Sequence, residues 1–275
     1  MTEKIASSKI NDLMLFKIEL QNTNGLQTLP INYQYPLSAA LYRIIAKGDA
    51  KYAAFLHENG YGKRFKLFTF SDINCPFKIK GDRLLLQSEK VEFWVAFYLP
   101  QATETFIKGL FLSEHIEIAD KRTRAVFTVR SVESVPDVLQ QYNENQIINI
   151  VVKPISPIVC GLQNEKGNYI FLDPDDPRFI ESIVYNWRGK LATCFEETTA
   201  CSALLMVKVV PAGMPFKSRL ITIKEGTPAQ TKIRGWLNFE LALTAERRFV
   251  ELIMGAGAGL YNAMGMGALR WFERK

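Results

Sequence analysis

Between Gly255 and Gly267 the chain reads Gly-Ala-Gly-Ala-Gly-Leu-Tyr-Asn-Ala-Met-Gly-Met-Gly. Upstream, Phe249, Leu252 and Ile253 recur at i, i+3 and i+4, which predicts a helix over 245–254 with Thr244 as its cap. Downstream, 268–272 reads as a short strand. A helix and a strand joined through five glycines need a backbone at positive φ, or the close approach of another segment. Such a loop also presents N–H groups able to hold phosphate. It is not the dinucleotide fingerprint. Counting from Gly257, the sixth position of G-x-G-x-x-G is Asn262, and a helix precedes the loop where a strand should. No Gly-Lys-Ser/Thr closes it as a Walker loop. Two readings remain, a packing turn or a binding loop built on the symmetric pairs Gly257/Gly259 and Gly265/Gly267.

The rest of the chain supplies two similar successions of elements. Leu13–Gln21 alternates, with Phe16, Ile18 and Leu20 on one side and Lys17, Glu19 and Gln21 on the other, as in a half-buried strand. Leu37, Leu41, Ile44 and Ile45 follow helical spacing up to Gly48, with Tyr42 off that stripe. A second helix, Ala50–Glu58, stops at Asn59-Gly60 and carries His57 in its last turn. Strands are predicted over 66–72, 83–87 and 91–99, and a helix from Pro100 with Phe106, Leu110 and Phe111. A hairpin follows over 115–135, turning at Asp120–Arg124. This is a βαββαβ order with extra pieces. Polar residues 140–146 read as a linker between domains 1–145 and 146–275. The order then repeats: strands at 147–153, 159–162 and 169–172, a long helix from Asp173–Asp176 through Trp187 and Leu191, and a buried strand at 203–210. Last come hairpin arms 216–224 and 231–243, a helix, the glycine loop and a final strand. The fold class predicted is α+β, with two tandem ferredoxin-like (RRM-like) domains.

At 275 residues each half is long enough to bury its own core. A net charge of +6 leans towards an acidic partner, of which nucleic acid is the commonest. The four cysteines lack C-x-x-C spacing, so neither zinc nor a disulfide framework is indicated and a reducing cytoplasm is the expected home. Residues 1–12 are polar without the apolar core of a signal peptide, and no run is long enough to span a bilayer. No H-E-x-x-H occurs, and the one D-x-D spacing, Asp173-Pro174-Asp175, falls at a predicted helix start, which disfavours a metal-dependent nuclease or hydrolase. Of the two histidines, His115 starts a strand without an obvious partner. His57 has Tyr42 on the preceding helix and Lys63, Arg64 and Lys66 just downstream. Imidazole, phenol and ammonium suit metal-free RNA scission: a base activates the ribose 2′-hydroxyl, an acid protonates the departing 5′-oxygen, and a cation steadies the phosphorane. On the last hairpin Lys217 and Arg219 share one face of their arm, with Lys224 beyond them. Lys232 and Arg234 share a face of the other arm. Two basic rows can track phosphates; the competing reading is a charged edge that resists aggregation.

Several of these landmarks carry a resemblance. The run Leu29–Tyr42 (Leu-Pro-Ile-Asn-Tyr-Gln-Tyr-Pro-Leu-Ser-Ala-Ala-Leu-Tyr), the run Ala53–Glu58 followed by Lys66–Ser71, the segment Lys232–Trp236 and the glycine loop together resemble the CRISPR-associated endoribonucleases that cut CRISPR repeat RNA. The resemblance implies two ferredoxin-like domains, no cofactor and no metal. It implies a catalytic set on Tyr42, His57 and Lys66. RNA contacts would fall on Lys217, Arg219, Lys224, Lys232 and Arg234 and on Gly257, Gly259, Gly265 and Gly267. CRISPR repeat RNA is the implied partner, with other subunits of a CRISPR interference complex as further candidates, for a monomer or a homodimer. The alternative within the resemblance is a subunit that binds repeat RNA without cutting it. One departure stands out. The family loop often carries a lysine or arginine and a serine between its glycine pairs, whereas here Leu260–Met264 has no charge.

Overall fold

The structure, a computed structural model, describes residues 13–22, 25–165, 167 and 169–272; the polar stretch 1–12 lies outside them. In the first half β1 (Met14–Asn22) buries Phe16, Ile18 and Leu20, as its alternation requires. The short β2 (Thr28–Pro30) leads to α1 (Gln34–Gly48), whose stripe Leu37, Leu41, Ile44 and Ile45 is buried. Next comes α2 (Ala50–Glu58), where the Asp49 carboxylate accepts from the amides of Lys51 and Tyr52 and so starts the helix. Then follow β3 (Phe68–Phe70), β4 (Phe77–Lys80), β5 (Arg83–Leu86), β6 (Lys90–Phe97), α3 (Pro100–Phe111), β7 (Ile116–Ala119) and β8 (Arg124–Val135). The main sheet runs β3-β6-β1-β8-β7, antiparallel throughout, and β2-β5-β4 form a side sheet. Taken as β1-α1-β3-β6-α3-β8, this is a ferredoxin-like unit.

The second half repeats the plan. It contains β9 (Ile147–Pro154), β10 (Gly161–Gln163), β11 (Tyr169–Phe171), α4 (Pro177–Cys194), α5 (Glu197–Ser202), β12 (Met206–Pro211), β13 (Lys217–Ile223), β14 (Thr231–Leu237), β15 (Phe239–Glu246), α6 (Arg247–Ala256) and β16 (Leu269–Trp271). Its sheet runs β12-β15-β9-β16, with the hairpin β13-β14 inserted between the second and third strands of the unit. Trp187, fully buried on α4, donates its indole N–H to the Phe249 carbonyl at 2.9 Å and ties the two helices together. No helix among the described residues is long and apolar enough to cross a membrane.

Several expected elements differ. The second hairpin arm ends at Leu237: Asn238 has φ 67, and this left-handed residue breaks 231–243 into β14 and a separate core strand, β15. That strand alternates Phe239, Leu241, Leu243 and Ala245 into the sheet and continues to Glu246, so Thr244 is a strand residue and the helix begins at Arg247. Its first amides are satisfied from the segment just before β9, Arg247 N by Gln146 O and Arg248 N by Glu144 O. The strand predicted as buried at 203–210 is β12, an edge strand with Met206 exposed. Phe111 ends α3 facing solvent at 88% exposure, and β4, which the pattern did not separate, has all four residues exposed.

Candidate active site

The two halves meet around a cleft of about 540 Å³. Its first wall is built from α1, α2 and the turn before β3. Beside the buried stripe of α1, the residues Tyr35, Ser38, Ala39 and Tyr42 stand at i, i+3, i+4 and i+7 and line the cleft in one row. The Tyr42 ring meets His57 edge-on, with centroids 5.4 Å apart at 88°, and packs on Phe68 at 5.7 Å. Burial holds the Tyr42 phenol well above its usual range, so the hydroxyl stays protonated. His57 itself is exposed at the end of α2.

Lys66 lies outside the strand predicted for it, in the turn leading to β3. Its Nζ donates to the His57 carbonyl at 2.8 Å, so the lysine caps the helix that carries the imidazole. Desolvation first, and then the Arg64 charge, lower the pKa of that amine. The turn is pinned by reciprocal backbone bonds between Tyr61 and Phe65, and Arg64 and Leu67 both adopt positive φ within it. Phe65 in turn reaches α4, where its ring lies 5.9 Å from the Lys190 ammonium. The structure therefore brings Tyr42, His57 and Lys66 together on one wall, with Arg43 and Arg64 beside them.

The glycine loop forms the facing wall, and not as a row of bare amides. Gly257, Gly259, Gly265 and Gly267 are all buried with positive φ. The amides of Gly257, Gly265 and Gly267 donate to Ile253, Asn262 and Pro157 carbonyls. A Cβ on Gly267 would overlap the Ala258 carbonyl, and one on Gly265 would enter the Phe70 ring of β3. The glycines let the loop fold back on itself and dock on the other half; residues 260–264 are the part turned to the cleft. Ser38 Oγ donates to Ala263 O at 2.6 Å, and Thr69 Oγ1 to Met266 O at 2.9 Å, fixing that docking.

At the base of the loop sits Lys190, 1% exposed. Its Nζ donates to Gly257 O at 2.5 Å and to Asn262 Oδ1 at 2.7 Å. The Asn262 amide nitrogen in turn reaches Ala258 O and Met266 O, both at 3.0 Å. Burial pulls the Lys190 pKa down to about 7. Sequence reasoning missed Lys190 and its cleft neighbour Asn186, although a signal existed. Ser182, Asn186 and Lys190 form an i, i+4, i+8 polar row beside the apolar stripe Phe179, Ile183, Trp187 and Leu191.

The hairpin cations divide. In the register of β13 and β14, Arg219 lies opposite Gly235, Leu220 opposite Arg234, and Thr222 opposite Lys232. Directly opposed residues share a face, so the Lys217/Arg219 row and the Lys232/Arg234 row occupy opposite faces and form no single basic surface. Arg219 is engaged with Asp72 at 2.7 Å, and that carboxylate also accepts from Tyr33 and Gln34. Lys217, Lys232 and Arg234 are exposed, while Lys224 reaches the cleft from the hairpin turn. Among the described residues no group of three His, Cys, Asp or Glu side chains is placed to hold a metal ion.

Two ferredoxin-like units sharing a cleft with histidine, tyrosine and lysine on one wall, and a glycine-hinged loop on the other, define a tandem ferredoxin-like protein with an interdomain site. Residues 28–133 match the family model described as CRISPR-associated protein Cas6, N-terminal, and residues 140–271 match that of CRISPR associated protein Cas6, C-terminal. The chain belongs to the Cas6 family of CRISPR-associated proteins. It is 25% identical over 273 residues to the CRISPR-associated endoribonuclease Cas6 1 of Methanocaldococcus jannaschii, covering 97% of this chain and 96% of that one. Among solved structures, a Cas6-related protein from Pyrococcus furiosus superposes with a TM-score of 0.74 at 16% identity, over 96% of this chain and all of that one. A RAMP protein described as binding different RNA substrates gives 0.72 at 17% identity, over 94% of this chain and 100% of that chain. These likenesses show the tandem ferredoxin-like fold.

Proposed function

We propose that this protein is a metal-independent endoribonuclease that cuts CRISPR repeat RNA in the interdomain cleft. The observation that carries the reading is the meeting of Tyr42, His57 and Lys66 on one wall, with the His57 helix end held by Lys66 itself. The M. jannaschii relative, named an endoribonuclease, matches along nearly its whole length and supports the same class. In the proposed step a base takes the proton of a ribose 2′-hydroxyl, O2′ bonds to the adjacent phosphorus, and the bond from phosphorus to O5′ breaks as an acid protonates O5′. The products are a 2′,3′-cyclic phosphate, or its opened form, and a 5′-hydroxyl.

His57 is the exposed imidazole of the set and can serve as base or acid in that step. Tyr42, kept protonated by burial, donates to the attacking oxygen or to a phosphate oxygen. The Lys66 ammonium meets the charge that builds on the phosphorane, and desolvation makes it a readier proton donor. Arg43 and Arg64 add positive charge along the same wall. The test is labelled repeat RNA incubated with the protein in excess chelator. The expected outcome is cutting at one bond, with new 5′ ends that accept a kinase label without prior phosphatase. Activity lost in chelator and restored by magnesium would overturn the mechanism, and binding without cutting would overturn the enzyme.

A further inference from the structure

The two walls of the cleft differ in chemistry. Arg43, His57, Arg64 and Lys66 stand on the first; on the second, Lys190 lies buried at the base and Lys224 enters from the hairpin turn, but the loop itself presents Leu260, Tyr261 and Met264, with no charged side chain between Gly259 and Gly265. A nucleotide in single-stranded RNA has the same two sides, an anionic phosphate and an apolar base face. Tyr261 is the telling residue. It adopts φ 60 and ψ 29, the left-handed region that side-chain-bearing residues seldom enter, in a loop that uses glycine at Gly257, Gly259, Gly265 and Gly267 for the same purpose. A large ring held there points to a use for the ring. Its backbone oxygen accepts from Met264 N at 2.9 Å, and its ring meets Tyr169 edge-on at 6.3 Å. With Leu260, Met264 and Tyr35 it packs on the small core of Val159, Ile221, Ile223, Ile233 and Met266, yet it remains partly exposed in the cleft.

We infer that Tyr261, flanked by Leu260, Met264 and Tyr35, is a stacking platform for one unpaired base of the RNA beside the phosphate that is cut. This rests on the reading of the cleft as the cutting site. It assigns the loop a role through a base in place of the phosphate grip that lysine or arginine would supply. Every nucleobase has a π-face, so the platform selects for an unpaired nucleotide and only weakly for its identity.

The experiment uses repeat RNA made uncleavable by one 2′-deoxy sugar, with an abasic nucleotide placed at each position around the cut in turn. Wild-type protein should lose affinity by about tenfold at one position, the usual worth of a base on an aromatic ring. Tyr261→Gly, which suits the left-handed backbone, should lose the same factor on intact RNA and nothing further on RNA abasic at that position. Tyr261→Trp should restore it. The inference is overturned if Tyr261→Gly binds intact RNA as wild type does, or if its loss and the abasic loss multiply. Were the uncleavable RNA not bound at all, the platform would fall together with the cutting reading. Were the abasic pattern present while ribose RNA stayed uncut, the platform would stand and the cutting reading alone would fail.

Discussion

The walls of the cleft are built on opposite principles. On the N-terminal wall, α1 and α2 turn one stripe into the core and leave the chemistry on the flank, with Tyr42 half-buried against Phe68 and His57 exposed beside it. On the C-terminal wall the signature residues are themselves packed away: four glycines lie buried, and Lys190 and Asn262 tie the loop from beneath. A motif can thus mark a site by what it permits, while its neighbours make the contacts. The first wall should respond to mutation in rate, and the buried glycines and Lys190 of the second in stability.

The largest effect expected is on the first wall. His57→Ala should slow single-turnover cutting by on the order of 10²-fold or more, with repeat affinity little changed because phosphate contacts dominate it. A loss of affinity in step with rate would place His57 in binding. On the second wall, Gly267→Ala should destabilise the fold by roughly 2–4 kcal/mol, since it combines left-handed strain with backbone overlap. Gly213, at φ 73 with nothing nearby, is the control, and its alanine variant should cost only about 1–2 kcal/mol. Equal melting shifts for the two would show that the loop is not packed as described.

Lys190 offers a pH test. Its folded pKa lies near 7, below the ordinary 10.5, so between those values the unfolded chain binds more protons and stability should rise with pH. Lys190→Met should flatten that rise relative to wild type; parallel denaturation curves from pH 7 to 10 would contradict the buried placement. The smallest effects belong to the hairpin. Lys232→Ala with Arg234→Ala should weaken repeat binding and lower its salt slope by about one unit for each phosphate no longer neutralised. Arg219→Ala should act through the Asp72 pair, on stability. If Arg219→Ala changes the salt slope as much as the double variant does, the division of the hairpin into two faces has no bearing on RNA.

The sequence reveals most where burial pattern and local geometry agree. The alternation of β1, the stripe of α1, the Asn59-Gly60 stop and the Asp120 turn, whose carboxylate accepts from the Arg122 and Thr123 amides, are all legible in it. Where tertiary pairing decides, it misleads. Thr244 looks like a helix cap, yet pairing of β15 with β9 and β12 carries the strand through it. The apolar run 203–210 looks like core but lies at a sheet edge. Tyr42, His57 and Lys66 can be read as neighbours from their elements, although Lys66 reaches His57 from a turn through the helix-end carbonyl and not from a strand. Glycine spacing points to the loop but cannot say that the glycines face inward, because that depends on Phe70 and Ala258 packed against them. The alternating basic residues are visible; that Arg219 turns towards Asp72 of the other half is not.

One substrate tests the proposed chemistry without touching the protein. Repeat RNA carrying a single 2′-deoxy sugar immediately before the scissile phosphate should bind as tightly as the all-ribose RNA and resist cutting at that bond, because the nucleophile is gone. Cutting of the deoxy RNA at the same bond would mean that water attacks the phosphorus, and the roles assigned to Tyr42, His57 and Lys66 would be wrong.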